Sequence, residues 1–206
     1  MLEKGYKIVS KVKKKNVTSE SYVVGAQVLI HSLHRNGGLK GRKDLALRVI
    51  SNVLVTKSIG KESRKLLKES GWDYVTEVSE IPNPLEKGSK EASSLHWYNS
   101  GYTKLRIFEM VQLTTAVAGT KTEKSITNDV TTKKQLRIKK LFYIDADCIV
   151  VRDISDIFKL PDDVTFAAAP DLCPPDHFNA GVLFIQPNVQ TFQQLLRNVA
   201  YVNSCF

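Results

Sequence analysis

"FYIDADCIVV", residues 142–151, runs three apolar or aromatic positions into two acids one residue apart and then returns to a β-branched apolar run. With Leu141 before it, the stretch is strand-like and looks built for burial. Asp145 and Asp147 then fall where the strand ends. Alternate side chains of a strand share a face, so the two carboxylates point the same way if the strand persists and converge if it turns there. Two neighbouring carboxylates left unpaired away from water cost on the order of several kcal/mol, so a positive group belongs between them. Magnesium or manganese would serve: each prefers carboxylate oxygen and leaves coordination positions for the oxygens of a substrate phosphate. In open parallel sheets, ligands bind beyond the carboxyl ends of the strands. The competing reading is structural, with one acid capping the following turn and the other paired with Arg152 or a lysine.

Outward from this strand the chain alternates helix and strand. "TSESYVVGAQVLIHSLHRNGG" (18–38) opens with the N-cap candidates Thr18, Ser19 and Ser21, carries Ala26, Leu29, Ile30 and Leu33 at helical spacing, and stops at two glycines. "LALRVISNVLVT" (45–56) is strand-like, "SIGKESRKLLKESG" (58–71) a short polar helix ended by Gly71, and "WDYVTEV" (72–78) alternates like a strand. "IPNPLEKGSKEASS" (81–94) is a loop, and "YTKLRIFEMVQL" (102–113) reads as a helix. Residues 114–140, rich in Thr and Lys, show no periodicity and read as a flexible basic insertion. After the central strand come short strands at 165–170 and 178–187, then a helix from the N-cap candidate Asn188 with Val189, Phe192, Leu196 and Val199 as its apolar stripe. This order predicts an α/β domain with a mostly parallel sheet flanked by helices.

The 206 residues suffice for one well-cored domain, and 42% hydrophobic with 25% charged residues excludes a disordered chain. Cys148, Cys173 and Cys205 are widely spaced, without a zinc or CxxC pattern, and read as reduced thiols. The net charge of +9 concentrates in residues 1–15 and 121–140, each carrying +5, so the remainder is slightly acidic. Those two segments read as peripheral, solvated chain, and no specific nucleic-acid partner is expected. With no signal peptide or apolar membrane span in the sequence, the chain reads as cytoplasmic if complete.

"FYIDADCIVVRDISDIF", "AAAPD" and "FNAGVLFIQPNVQTFQQLL", with "YVVGAQVLIHSL" and "YTKLRIFEM" before them, resemble in order the conserved blocks of glycosyltransferase family 8, the glycogenin-like enzymes. The resemblance covers about Thr18 to Leu196, interrupted by 114–140. It implies a single GT-A domain, a Rossmann-like nucleotide-diphospho-sugar transferase fold, and a metal-dependent retaining transfer of a hexose from a UDP-sugar. Asp147 would be the principal metal ligand, with Asp145 near the ribose and the metal. Tyr22 would stack on uracil beside Thr18, Lys104 would approach the sugar phosphate, and Asp171 and Asn179 would face the donor sugar. Ala146 and Ala180 belong to the same donor-binding set. The partners implied are the nucleotide-sugar donor and a protein or glycan acceptor, and a homodimer is compatible with the family.

Two stretches depart from the family pattern. "VKKKNVTSESY" places lysines where the first strand should run apolar into its turn. The family's H-x-x-G-x-x-K segment, which supplies a third metal ligand, is not found after "LLRNVAYVNSCF", so the domain reads as C-terminally incomplete. Two other classes compete. Haloacid-dehalogenase-like phosphatases also end a strand in D-x-D, but in their first strand. A non-catalytic or nucleic-acid-binding module would instead use the basic segments.

Overall fold

A computed structural model describes residues 4–12, 19–38, 49–82, 101–116, 133–171 and 177–199. In chain order these form β1 (Lys4–Val12), α1 (Ser19–Asn36), β2 (Val49–Val55), α2 (Lys61–Glu69) and β3 (Tyr74–Glu77). A 3-10 helix (Gly101–Glu109), β4 (Gln112–Ala116) and β5 (Lys133–Ile144) follow. The chain continues through a second 3-10 helix (Ser155–Lys159), β6 (Phe166–Pro170), β7 (Phe178–Ile185) and α3 (Val189–Val199). None of the described helices is long and apolar enough to cross a membrane.

The sheet runs in the order β3-β2-β1-β5-β7-β6. The first four strands are parallel; β7 pairs antiparallel with both β5 and β6. β4 joins β5 antiparallel through Gln112↔Arg137 to Ala116↔Lys133. Since Arg137 also pairs with Lys4 of β1, β4 must lie along the other edge of β5, the edge that β7 takes over at Leu141.

Strand periodicity sorts the core into two layers. Ile8, Val53, Val55, Phe142 and Ile144 face one way, against Ala26, Leu29, Ile30 and Leu33 of α1, Leu67 of α2, and Trp72 and Phe158. Their alternates Val9, Ile50, Leu54, Leu141 and Tyr143 face Ile107 of the first 3-10 helix on the other side. The Trp72 indole N–H donates to the Ala26 carbonyl at 3.2 Å, joining the α2–β3 connection to α1. The α1 stripe expected from its spacing is buried throughout. The glycines expected to end α1 and α2 do so: Gly37 N–H returns to the Leu33 carbonyl, and Gly38 and Gly71 adopt φ of 67° and 105°. Asn188 caps α3, its side-chain oxygen accepting from the Thr191 N–H at 3.1 Å.

Three expectations need correction. The first basic segment is not wholly peripheral: its residues 4–12 form β1, between β2 and β5, and Lys7 is fully buried. The segment 114–140 is not all flexible insertion, because its ends belong to β4 and β5; residues 117–132 lie outside the described residues. Within it, Lys140 is buried because its ammonium donates to the carbonyls of Phe158 and Leu160 and pairs with Asp162. The helix expected over 102–113 stops at Glu109, and the β-branched "QLTTA" pairs as a strand.

Candidate active site

β5 ends at Ile144, and the chain turns at once, with the Cys148 N–H donating to the Asp145 carbonyl at 3.1 Å. Asp145 follows Tyr143 on the face covered by the first 3-10 helix, and that helix delivers Lys104. The Lys104 ammonium lies 3.1 Å from the Asp145 carboxylate oxygens, 2.6 Å from the Ala180 carbonyl and 4.9 Å from the Tyr143 ring centre. The Tyr143 hydroxyl donates to the same carboxylate. Asp145 is therefore half-buried and neutralised, while Asp147 is exposed and makes no hydrogen bond or ion pair with another described residue.

β7 closes the other side. Between Ala168 and Ala169 of β6 the partner on β7 jumps from Leu183 to Asn179, so Ala180, Gly181 and Val182 are extra residues thrown toward β5. The Gly181 carbonyl accepts the Asp145 N–H at 2.8 Å, and the Gly181 N–H donates to the Asn179 side-chain oxygen at 2.7 Å. A Cβ on Gly181 would stand 2.8 Å from that oxygen and 3.3 Å from Asp145, so a side chain there would have to displace the exposed Asn179 amide. Asn179 reaches Asp171 only at 3.5 Å, and both side chains are exposed.

α1 meets the turn from the opposite layer. A Cβ on Gly25 would lie 2.5 Å from the Ala146 carbonyl oxygen, so helix and turn touch backbone to backbone. Tyr22, one helical turn earlier on the same side, is half-buried against that layer. Gly25→Ala is predicted to force the two apart, costing about 1–3 kcal/mol against a helix-propensity gain of up to about 1. A lowered urea midpoint is the expected result; a wild-type midpoint would mean that α1 does not set the position of the turn.

The structure thus gathers Lys104, Asp145, Ala146, Asn179 and Ala180 around one strand end, with Asp147 in the same turn and Asp171 beside Asn179. Thr18 lies outside the described residues. Tyr143 and Gly25 were missed by sequence reasoning. A glycine inside a helical pattern was the available signal for the second, since it costs about 1 kcal/mol relative to alanine without a packing reason; Tyr143 had none, because a strand tyrosine reads as core. Burial, then the nearby Asp145, raises the Tyr143 hydroxyl well above its ordinary value, so it stays a donor. Burial and the two aspartates likewise raise the Cys148 thiol, which keeps it unreactive.

The chemistry of the donor set suits a hard cation: two carboxylates in one turn, the exposed one open to solvent. Among the described residues no group of three His, Cys, Asp or Glu stands ready to hold a metal, so any ion here would need oxygens from a ligand to complete its shell. A cavity of about 860 Å³ lies elsewhere, along the outer side of α1 between His31, Arg35, Glu69 and Ile149, and includes none of the clustered residues.

No family model matches the chain. It is 29% identical to a glycogenin of Neurospora crassa over 180 residues, 86% of this chain and 21% of the relative. It is 28% identical to inositol phosphorylceramide glucuronosyltransferase 1 of Arabidopsis thaliana, over 90% of this chain and 26% of that protein. The chain thus spans about a fifth to a quarter of the length of these curated relatives. Among solved structures, the glycosyltransferase GlyE of Streptococcus pneumoniae superposes with a TM-score of 0.54 at 19% identity, covering 98% of this chain and 40% of that one. In sequence the chain is similar to glycogenins and to a glucuronosyltransferase, and in architecture it has the GT-A fold of the solved glycosyltransferase.

Proposed function

We propose that the chain is a metal-dependent retaining hexosyltransferase that takes its sugar from a UDP-sugar and passes it to a protein or glycan acceptor. The observation that carries this reading is the convergence of the Lys104 ammonium, the β7 bulge and two carboxylates at the carboxyl end of β5. Charge explains why a cation belongs there. Two carboxylates and one ammonium leave the strand end anionic, and a diphosphate approaching it would be repelled. Manganese or magnesium, held by Asp147 with Asp145, would reverse that repulsion and act as Lewis acid on the departing diphosphate.

The remaining roles belong to the chain's own groups. Lys104, fixed by Asp145 and the Ala180 carbonyl, stands as a preorganised cation where charge develops on the leaving phosphate. Asn179 and Asp171, exposed beside the bulge, can exchange their weak mutual contact for hydrogen bonds to sugar hydroxyls. The backbones of Ala146 and Ala180 border the donor, and Tyr22 offers a ring for uracil. No carboxylate is assigned as nucleophile; retention rests on the family resemblance alone.

The two competing classes fit less well. The D-x-D follows the fifth strand rather than the first, unlike a haloacid-dehalogenase-like phosphatase, and the β7 bulge has no part in such an enzyme. Burial of Lys7 and Lys140 removes two cations from any nucleic-acid face. The test is a thermal-shift panel of UDP-sugars with and without manganese. Ligand at a hundred times its Kd adds about 2.7 kcal/mol, a rise of roughly 5–10 °C for a chain of this size. Absence of a shift with every UDP-sugar would reject the proposal, and a salt-sensitive shift with RNA alone would replace it with the binding-module reading.

A further inference from the structure

We propose that Tyr143 is a positioning residue of the donor site, its hydroxyl fixing the Asp145 carboxylate and its ring face carrying the Lys104 ammonium. The inference rests on the UDP-sugar reading above. Tyr143 is 1% exposed, and its backbone is held in the sheet by both β1 and β7. Its side chain is therefore the fixed member of the Tyr143–Asp145–Lys104 cluster, whereas Asp145 and Lys104 are both partly exposed. The hydroxyl satisfies one carboxylate oxygen and limits rotation of the carboxyl group. The ring lies 4.9 Å from the ammonium, within cation–π range, and the ammonium makes its other contacts to Asp145 and the Ala180 carbonyl. Anion and cation are thereby set before a nucleotide sugar arrives, which avoids reorganisation at the moment of reaction. Phenylalanine would fill the same space and keep the ring face, losing only the hydrogen bond to Asp145.

The experiment compares wild type, Tyr143→Phe, Asp145→Asn and the double variant of this chain. Each is titrated calorimetrically with UDP plus manganese chloride and unfolded in urea. Tyr143→Phe is expected to weaken UDP binding about tenfold in the wild-type background and less than about twofold in the Asp145→Asn background, since contacting residues that act as a unit are not additive. Equal losses in both backgrounds would show that Tyr143 acts independently of Asp145 and overturn the proposal. A lowered urea midpoint with unchanged UDP affinity would reduce Tyr143 to a structural role and overturn it too. If Asp145→Asn does not fold, a crystal structure of Tyr143→Phe decides: an unmoved Asp145 carboxylate and Lys104 ammonium refute the positioning role, and displaced ones support it. A wild-type chain that binds no UDP with manganese removes the functional reading and this inference with it. A wild-type chain that binds while Tyr143→Phe binds equally well removes only the inference.

Discussion

Asp147→Asn is expected to reduce manganese-dependent release of UDP from a UDP-sugar by about a hundredfold or more, roughly 2.7 kcal/mol of transition-state stabilisation. The side chain is exposed and makes no hydrogen bond or ion pair with another described residue, so the amide should leave the unfolding free energy within about 0.5 kcal/mol of wild type. Asp145→Asn should differ in kind. Its carboxylate partners Lys104 and Tyr143, so its loss should lower both stability and turnover. Measuring UDP release over a manganese titration separates the cases. Saturation at unchanged turnover in Asp147→Asn would take that residue out of the metal site and return the D-x-D to a turn-capping role.

Lys7→Met is expected to stabilise the chain by a few kcal/mol at neutral pH. Lys7 projects from β1 between Ile50 and Leu141 of the neighbouring strands, fully buried, and its ammonium nitrogen has no hydrogen-bond partner among the described residues. Burial alone lowers its pKa from 10.5 to about 7. At about 1.4 kcal/mol per pH unit, that displacement corresponds to a penalty of up to about 5 kcal/mol, comparable to the whole stability of a small domain. The sign follows from proton counts. Between pH 7 and 10.5 the unfolded chain holds a proton on Lys7 that the folded chain has given up, so this group makes the folded state more stable as pH rises. Below pH 7 both states are protonated and the penalty is fully present. Methionine, unbranched and of similar length, removes the penalty without opening a large cavity. Urea midpoints of the two proteins at pH 6.5 and 9.5 should converge at the higher value; a gap that stays constant with pH would show that Lys7 escapes burial.

Lys7 and Lys140 mark where the sequence was and was not legible. The apolar runs of β2, β5 and β7, the α1 stripe, the glycine stops and the Asn188 cap all follow local rules that the three-dimensional structure leaves intact. β1, through Lys7, and β5, through Lys140, break the rule that lysines belong in solvent. "KKQLRIKK" looks like insertion because nothing nearby in sequence indicates that the carbonyls of Phe158 and Leu160 will receive Lys140. Satisfaction of a buried cation is a long-range fact, and hydropathy is a local one. The same limit applies to the site. Its acids and Lys104 were visible as motifs, whereas Tyr143 became visible only once the strand face and the 3-10 helix were brought together. The register jump in β7 explains why "NAGV" matters physically, which similarity of letters alone does not.

The β4–β5 hairpin has a practical consequence. The chain departs at Ala116 and rejoins at Lys133, paired residues at the start of β5, twelve positions before Asp145. At about 3.3 Å per residue, those anchor points are some 40 Å from the carboxylates. A fluorescent protein or affinity handle spliced between them would be tethered at the distal pole of the sheet, leaving the pole that carries Asp145 and Asp147 free for ligand titration on a surface.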